Sequence, residues 1–350
     1  MIHNIALSQP NRATLLLDGR DVRRTLERAA LLEAIEAAFV RFDRGEIALG
    51  PTLHIAGEGG GFHAKSAFAR VAPRRAAMKL NGNFPDNPRR HGLPTVQGFV
   101  ALVDLERGTL LALVDSIAVT ALRTAAVSAM AARRLARRNS RVLSLIGCGV
   151  QAREHLVFMK SLFPLAAARL VDRERGAAEA LAREAAALGL SVECAGSPRE
   201  AAAGADIVVT STPSRVALLD ADDVGPGTFV AAVGADNPEK NEIAPALLAR
   251  SRVVVDSLDA ARAGGDLRAA LEAGVMTERD VHGELPALVS GRLPGREDDR
   301  SITVFDSTGL GVADWAAANL AYEAARGAAD ARLLCFSAPE DAALAASHTS

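Results

Sequence analysis

Four lysines, Lys65, Lys79, Lys160 and Lys240, stand among 40 basic residues in this chain, and every other one is arginine. Where charge or solubility suffices, the chain uses arginine. A lysine in an apolar or glycine-rich setting therefore marks a task arginine cannot do: its ammonium is a compact point charge that loses a proton when desolvated. Lys79 follows Ala76-Ala77-Met78 and precedes the turn-forming run Asn81-Gly82-Asn83-Phe84-Pro85. A strand-borne lysine there suits proton transfer or a carboxylate clamp, and a snorkelling surface lysine is the plain alternative. Lys240 closes the run Val233-Gly234-Ala235-Asp236-Asn237-Pro238-Glu239-Lys240 behind a buried strand. Asp236 falls just beyond that strand's carboxyl end, where open α/β sheets bind ligands; otherwise it is a turn or N-cap residue. Lys160, on a helix, is background.

A second constellation supplies a cofactor site. The apolar run Arg141–Ile146 leads into Gly147-Cys148-Gly149-Val150-Gln151-Ala152, and a second strand ends at Asp172, 25 positions after Gly147. Glycines allow a tight turn that brings backbone close to a pyrophosphate and aims a helix N-terminus at it. The acid then holds an adenosine ribose hydroxyl. The pattern predicts a dinucleotide site, with NAD favoured over NADP because Asp172 repels a 2′-phosphate, an effect that neighbouring Arg173 tempers. Cys148 is a small residue fitted into the turn. Thr210, Ser211 and Thr212 close another strand with hydroxyls for the nicotinamide side of the cofactor. Arg123 and Thr124 sit near the expected start of a helix, where free N–H groups and a guanidinium suit a phosphate or carboxylate; a structural salt bridge is the alternative.

The elements that must position these groups follow from periodicity. Residues 21–44 predict an amphipathic helix. Segments 51–56, 62–71, 76–81, 94–104 and 109–115 are short and β-leaning, which predicts an antiparallel sheet of about five or six strands. An alanine-rich helix over 120–137 carries the chain onward. Strands are then expected at 141–147, 168–172, 191–195, 206–211, 228–234, 252–257 and 302–307, with helices at 151–163, 175–188, 198–203, 242–249, 259–273 and 277–283. That alternation predicts a Rossmann-type, doubly wound parallel sheet. A last helix over 311–327 packs back on the first domain. The fold class is α/β, with an α+β substrate and dimerisation domain (1–125 with 315–350) and an NAD-binding domain (126–314).

Composition sets the limits. At 350 residues and 49% hydrophobic content, two cores can form without a metal or disulfide. A net charge of -2 carries no nucleic-acid signature. No apolar run is long enough to span a membrane, and Met1–Pro10 lacks the pattern of a signal peptide. Cys148, Cys194 and Cys335 are odd in number and scattered, which fits a reducing cytoplasm.

Taken in order, Lys79 to Asn87, Gly92-Leu-Pro-Thr95, Thr120-Ala-Leu-Arg-Thr124, Gly147-Cys-Gly-Val-Gln151 and Val233-Gly-Ala-Asp236 resemble the ornithine cyclodeaminase/mu-crystallin family from about residue 20 to 325. Its members include ornithine cyclodeaminases, alanine dehydrogenases, ketimine reductases and related siderophore-precursor enzymes. The resemblance implies homodimers built through the N-terminal domain and hydride chemistry on small amino or imino acids. It also implies Lys79 and Asp236 as catalytic residues, and Lys79, Arg123 and Thr308 around the substrate, where Lys65 is expected to join them. Around NAD it implies Thr95, Arg123, Gly147, Gly149, Val150, Gln151, Asp172, Arg173, Thr212, Val233, Gly234, Lys240 and Ser307. Two departures matter. Where cyclodeaminases carry an arginine after a proline, Pro51 is followed by Thr52; where they carry a glutamate for the distal amine, the chain reads Gly61-Phe-His63-Ala-Lys65-Ser66. The expectation is therefore an amino-acid dehydrogenase or imine reductase, with Lys65 in place of the lost arginine. A cyclodeaminase or a crystallin-like binding protein is the alternative.

Overall fold

A computed structural model describes residues 13–335. Expectations for Met1–Pro10 and for the C-terminal tail lie outside the described residues. The chain divides into two compact units. The first comprises the described parts of Met1–Glu27 and Asp314–Ser350 with Glu46–Thr120, and the second comprises Arg28–Gly45 with Ala121–Ala313.

The first unit is built on an eight-stranded sheet. Across it run Arg332–Leu334, Thr14–Leu17, Leu110–Asp115, Val96–Asp104, Arg75–Asn83, Gly60–Ala69 and Ile47–Leu49, and Leu53–Gly57 also pairs with Gly60–Ala69. The sheet is larger than the sequence pattern predicts, and it is mixed, because Thr14–Leu17 pairs in parallel with Leu110–Asp115. One face is the core: Ala67, Ala77, Val100, Leu102, Ala112 and Val114 are buried there. On the other face Leu53, Ile55, Phe62, Met78 and Phe99 stay exposed. The alternation is the pleat itself, which sends neighbouring side chains to opposite faces. Helix Gly311–Ala325 lends this unit Asp314 onward, and its Trp315 Nε1–H donates to the Arg75 carbonyl at 2.9 Å.

In the second unit eight strands are all parallel. Their order is Ser191–Cys194, Ala167–Val171, Val142–Ile146, Ile207–Thr210, Phe229–Ala232, Thr303–Asp306, Arg252–Val255 and Gly283–Glu284. The chain winds outward through the first three, then returns to pair Ile207–Thr210 with the far side of Val142–Ile146. That reversal is the topological switch point at which doubly wound sheets bind nucleotides.

Several expected elements differ. Residues 21–44 form two helices, Gly19–Thr25 and Arg28–Asp43, separated where Leu26 leaves helical dihedrals at ψ 78°. The second helix buries Leu31, Leu32, Ile35, Ala38 and Phe39 at helical spacing, and it belongs to the second unit rather than the first. Arg28–Glu154 (2.8 Å), Arg134–Glu36 (2.5 Å) and Arg292–Asp43 ion pairs hold it there. The helix expected at 277–283 is a single turn, Glu278–Asp280, followed by the short strand Gly283–Glu284. The connecting helix starts at Ser116, because the Asp115 carboxylate accepts the Ala118 N–H at 2.7 Å. Thr120 to Thr124 therefore lie inside the helix with their N–H groups consumed, which removes the free-amide argument for that segment.

Candidate functional site

Parallel register aligns Ile146 with Val171 and Thr210, Thr210 with Ala232, and Ala232 with Asp306. The residues that follow these strand ends, Gly147, Asp172, Ser211, Val233 and Ser307, therefore stand in one row at the carboxyl edge of the sheet. Gly147 has φ +88°, which disfavours a side chain, and a Cβ there would lie 2.8 Å from the Ser211 carbonyl oxygen and 2.9 Å from Thr212 Cγ2. Gly149 caps helix Val150–Leu162 without a side-chain hydrogen bond, and a Cβ on it would meet nothing within 4 Å. Ala152, one turn in, is fully buried against the sheet. The first turn of that helix thus presents open backbone. Beside it, Ser211 Oγ is buried with no hydrogen-bond partner among the described residues. A tight turn, an open helix end and an orphaned hydroxyl fit a dinucleotide.

Asp172 is fixed at the end of its strand. Its Oδ2 accepts the Cys148 N–H at 2.7 Å and its Oδ1 the Glu174 N–H at 2.8 Å. Arg173 next to it is 91% exposed at its side chain. Burial, then the charge of Asp172, pushes the Cys148 thiol up to about 12, so it stays protonated and inert. Val150 is exposed and Gln151 half-buried at the helix start.

Further along the row, Val233 N–H donates to the Thr210 carbonyl at 3.0 Å and Ser307 N–H to the Ala232 carbonyl at 2.9 Å. Thr308 is buried and donates to Asp256 Oδ1 at 2.9 Å, while Gly309 N–H reaches Asp256 Oδ2. Gly309 has φ +83° and lies against Arg123: a Cβ there would sit 2.8 Å from Nη1. Buried Arg123 thus lies against the turn that Gly309 makes after Ser307 and Thr308. Asp236 is half exposed and pairs with Lys240, four residues on, at 2.8 Å.

In the first unit Lys79 is buried on the core face of Arg75–Asn83. Its Nζ lies 3.0 Å from Asp314 Oδ1 and 2.8 Å from Oδ2. Val100 flanks it on one neighbouring strand and Lys65 on the other. Asn81, two residues on, has a buried Oδ1 with no partner among the described residues, and it stands opposite half-buried His63. The face therefore changes from apolar (Ala67, Ala77) to polar (Lys79, Lys65, Asn81, His63). Thr95 precedes strand Val96–Asp104, and its carbonyl accepts the Phe84 N–H at 2.8 Å. Lys160, the background lysine, caps a carbonyl of Leu165 at 2.9 Å.

The sequence reading missed five acids. Asp314 holds Lys79, and Asp256 holds Thr308 and Gly309. Glu242, Asp266 and Asp306 form a buried group beneath the strand ends. Asp256 and Asp306, placed within the apolar runs expected as strands at 252–257 and 302–307, carried a signal of burial, and the other three carried none.

The model of the ornithine cyclodeaminase/mu-crystallin family matches residues 12–329. The chain belongs to that family. It is 35% identical to the alanine dehydrogenase of Archaeoglobus fulgidus over 310 residues, covering 89% of this chain and 94% of the relative. It is 34% identical to the iminosuccinate reductase of Paracoccus denitrificans over 329 residues, covering 89% and 97%. Among solved structures, an archaeal alanine dehydrogenase dimer with bound NAD superposes with a TM-score of 0.88 at 34% identity, over 93% of this chain and 100% of that one. The Thermococcus litoralis Δ1-pyrroline-2-carboxylate reductase in complex with NADH and L-proline gives 0.85 at 30% identity, over 89% and 97%. As in these family members, the parallel sheet here is Rossmann-like. Among the described residues, no helix is long and apolar enough to cross a membrane.

Proposed function

We propose that this chain is an NAD-dependent oxidoreductase acting on the Cα–N bond of a small amino or imino acid. The observation that carries the reading is Lys79: a buried ammonium held by Asp314 where the strand face turns from apolar to polar. Desolvating an ion pair costs several kcal/mol per ion in rough terms, and a protein that only binds nucleotide has no use for one there. NAD, when bound, accepts or supplies the hydride of the redox step. Gly147, Gly149 and the first turn of Val150–Leu162 receive its pyrophosphate, and Asp172 takes the adenosine ribose with Arg173 beside it. Thr95, Val150, Gln151, Thr212, Val233, Gly234, Lys240 and Ser307 complete the cofactor contacts. Lys79 polarises the substrate carboxylate or shuttles a proton, and Asp236 moves the proton at the substrate nitrogen or activates water on an imine. Lys65, Arg123 and Thr308 orient the substrate.

A cyclodeaminase needs an acid for a distal amine, and the segment at that place offers His63 and Lys65 instead. That substitution favours the dehydrogenase or reductase. The exposed face carrying Leu53, Ile55, Phe62, Met78 and Phe99 is wide and apolar, which supports a homodimer formed through the first unit. Cys148, Cys194 and Cys335 are free, in keeping with a reducing cytoplasm.

The test is a screen of amino acids, and of keto acids with ammonia or amines, followed by nicotinamide absorbance. Turnover that Lys79→Ala abolishes is expected. Ammonia release with no net absorbance change would identify a cyclodeaminase. NAD binding without turnover on any substrate would overturn the enzyme reading, and a monomer in sedimentation would overturn the dimer.

A further inference from the structure

One side chain ties together the strand ends of the second unit. Glu242 is fully buried, and its carboxylate accepts four hydrogen bonds. Oε1 takes the Thr212 N–H at 2.6 Å and the Thr212 hydroxyl at 2.7 Å; Oε2 takes the Thr210 hydroxyl and the Gly234 N–H, both at 2.7 Å. Four donors match the full acceptor capacity of an ionised carboxylate. A protonated Glu242 would turn its own hydrogen against one of them. All four donors are uncharged, so these bonds stabilise the negative charge without neutralising it.

The neighbouring acids differ. Asp266 Oδ1 accepts the N–H groups of Glu242 and Ile243 at 2.6 and 2.9 Å, but Asp266 Oδ2 and Asp306 Oδ1 are buried without a partner among the described residues. Those two carboxyls are placed to carry protons. Burial pushes Asp266 up to about 7 and Asp306 well above the usual carboxylate range. Burial also pushes Glu242 upward, and its bonds from Thr210, Thr212 and Gly234 pull it back. Four donors on Glu242, against the unpartnered oxygens of Asp266 and Asp306, make Glu242 the carboxylate built to hold the charge of the group. The fit is tight: a Cβ on Gly234 would lie 2.3 Å from the Thr212 carbonyl oxygen and 2.5 Å from Glu242 Cδ.

We infer that Glu242 is a positioning residue whose buried charge lies under the nicotinamide end of the nucleotide site and favours the oxidised cofactor over the reduced one. The inference rests on the reading of Thr212, Val233 and Gly234 as nicotinamide-side residues. The oxidised ring is formally cationic and the reduced ring neutral. A fixed negative charge beneath the strand ends therefore stabilises one form selectively, whereas the hydrogen-bonded geometry serves both.

The experiment measures dissociation constants of NAD+ and NADH by calorimetry on the full chain and on Glu242→Gln. The ratio of the NAD+ constant to the NADH constant should rise by about fivefold or more in the variant, because only the cationic form loses an attraction. Equal weakening of both forms, leaving the ratio within about twofold, would make Glu242 a purely structural tie and overturn the inference. Should Glu242→Gln not fold, Glu242→Asp keeps the charge with fewer bonds. Its two constants should both rise while the ratio holds, and a shifted ratio there overturns the inference equally. Failure of the wild-type chain to bind either form would instead reject the nucleotide site.

Discussion

Lys65 stands directly opposite Lys79 on the same face of the antiparallel pair Gly60–Ala69 and Arg75–Asn83. Like charges so placed repel. Asp314 is the counterion of Lys79, and a carboxylate arriving at this face meets two ammonium groups side by side. That arrangement suits an amino- or imino-acid carboxylate.

Removing Lys65 should therefore weaken substrate binding alone. A hydrogen bond to a charged group is worth about 1.5–3 kcal/mol, so Lys65→Ala should raise KM by about tenfold or more while the NAD dissociation constant stays put. Lys160→Ala, which loses only a cap on the Leu165 carbonyl, should change neither. Steady-state kinetics check both, and an unchanged KM in Lys65→Ala would return that lysine to a structural role.

Asp314→Asn keeps the shape beside Lys79 and removes its counterion. Leaving a buried charge unpaired costs roughly 3–5 kcal/mol, so the melting temperature should drop. Losing a negative neighbour favours the neutral amine, so any limb of the kcat/KM pH profile that belongs to Lys79 should move to lower pH. A stable variant with an unmoved profile would show the pair to be incidental.

The Asp172 carboxylate, fixed by the Cys148 and Glu174 N–H groups, should discriminate against a 2′-phosphate. Repulsion between unit charges at about 4 Å is on the order of 4 kcal/mol at an effective dielectric of ~20, and exposure and Arg173 reduce it, leaving a preference for NAD on the order of tens-fold. Comparison of kcat/KM for the two cofactors checks this, and Asp172→Asn should narrow the gap.

Asp236→Asn removes a proton acceptor that is 52% exposed and adds little to the core. General acid–base catalysis is worth about 10²- to 10⁴-fold, so kcat should fall by at least the lower bound. Cofactor affinity and melting temperature should hardly move. Joint loss of binding and stability would make Asp236 a turn residue.

Two buried groups set opposing pH dependences of stability. His155 hydrogen-bonds the Gln151 carbonyl at 2.8 Å and Ser128 Oγ at 2.9 Å, and burial lowers it from 6.5 to about 4. The unfolded chain binds that proton more readily, so its contribution is complete above pH 6.5 and lost as pH falls toward 4. Asp266 is raised from 3.8 to about 7, so the folded chain holds the extra proton and stability is lost as pH rises across that interval. Asp266→Asn should thus gain on the wild type as pH rises from 3.8 to 7, by up to ~1.4 kcal/mol per pH unit. Urea titrations across this range test the sign; a constant difference would mean Asp266 is ionised throughout.

What could be read in advance was local. The Gly147 turn, Asp172 at its strand end and the setting of Lys79 each follow from a few adjacent residues. Asp314 could not be read as the partner of Lys79, because 235 positions separate them and only the fold joins them. Glu242 and Asp266 carry no sign of burial in sequence, and although Asp306 sits in an apolar strand, the grouping of the three depends on how the strand ends pack. Thr14–Leu17 and Arg332–Leu334 are too short to carry a pattern, and their pairing draws on both ends of the described chain. The helix expected to open at Thr120 begins earlier because a single carboxylate, Asp115, caps it.

The distance in sequence between Lys79 and Asp314 also bears on synthesis. Chains emerge from the ribosome in order, and domains fold as units as they appear. Every strand of the parallel sheet is made before Asp314, whereas the sheet carrying Lys79 has to wait for it. The nucleotide unit is thus complete in the nascent chain before Lys79 can meet the Asp314 carboxylate. A chain halted before residue 314 would lack the carboxylate that meets Lys79 at 2.8 Å, so assembly of this ion pair is deferred to the closing stage of translation.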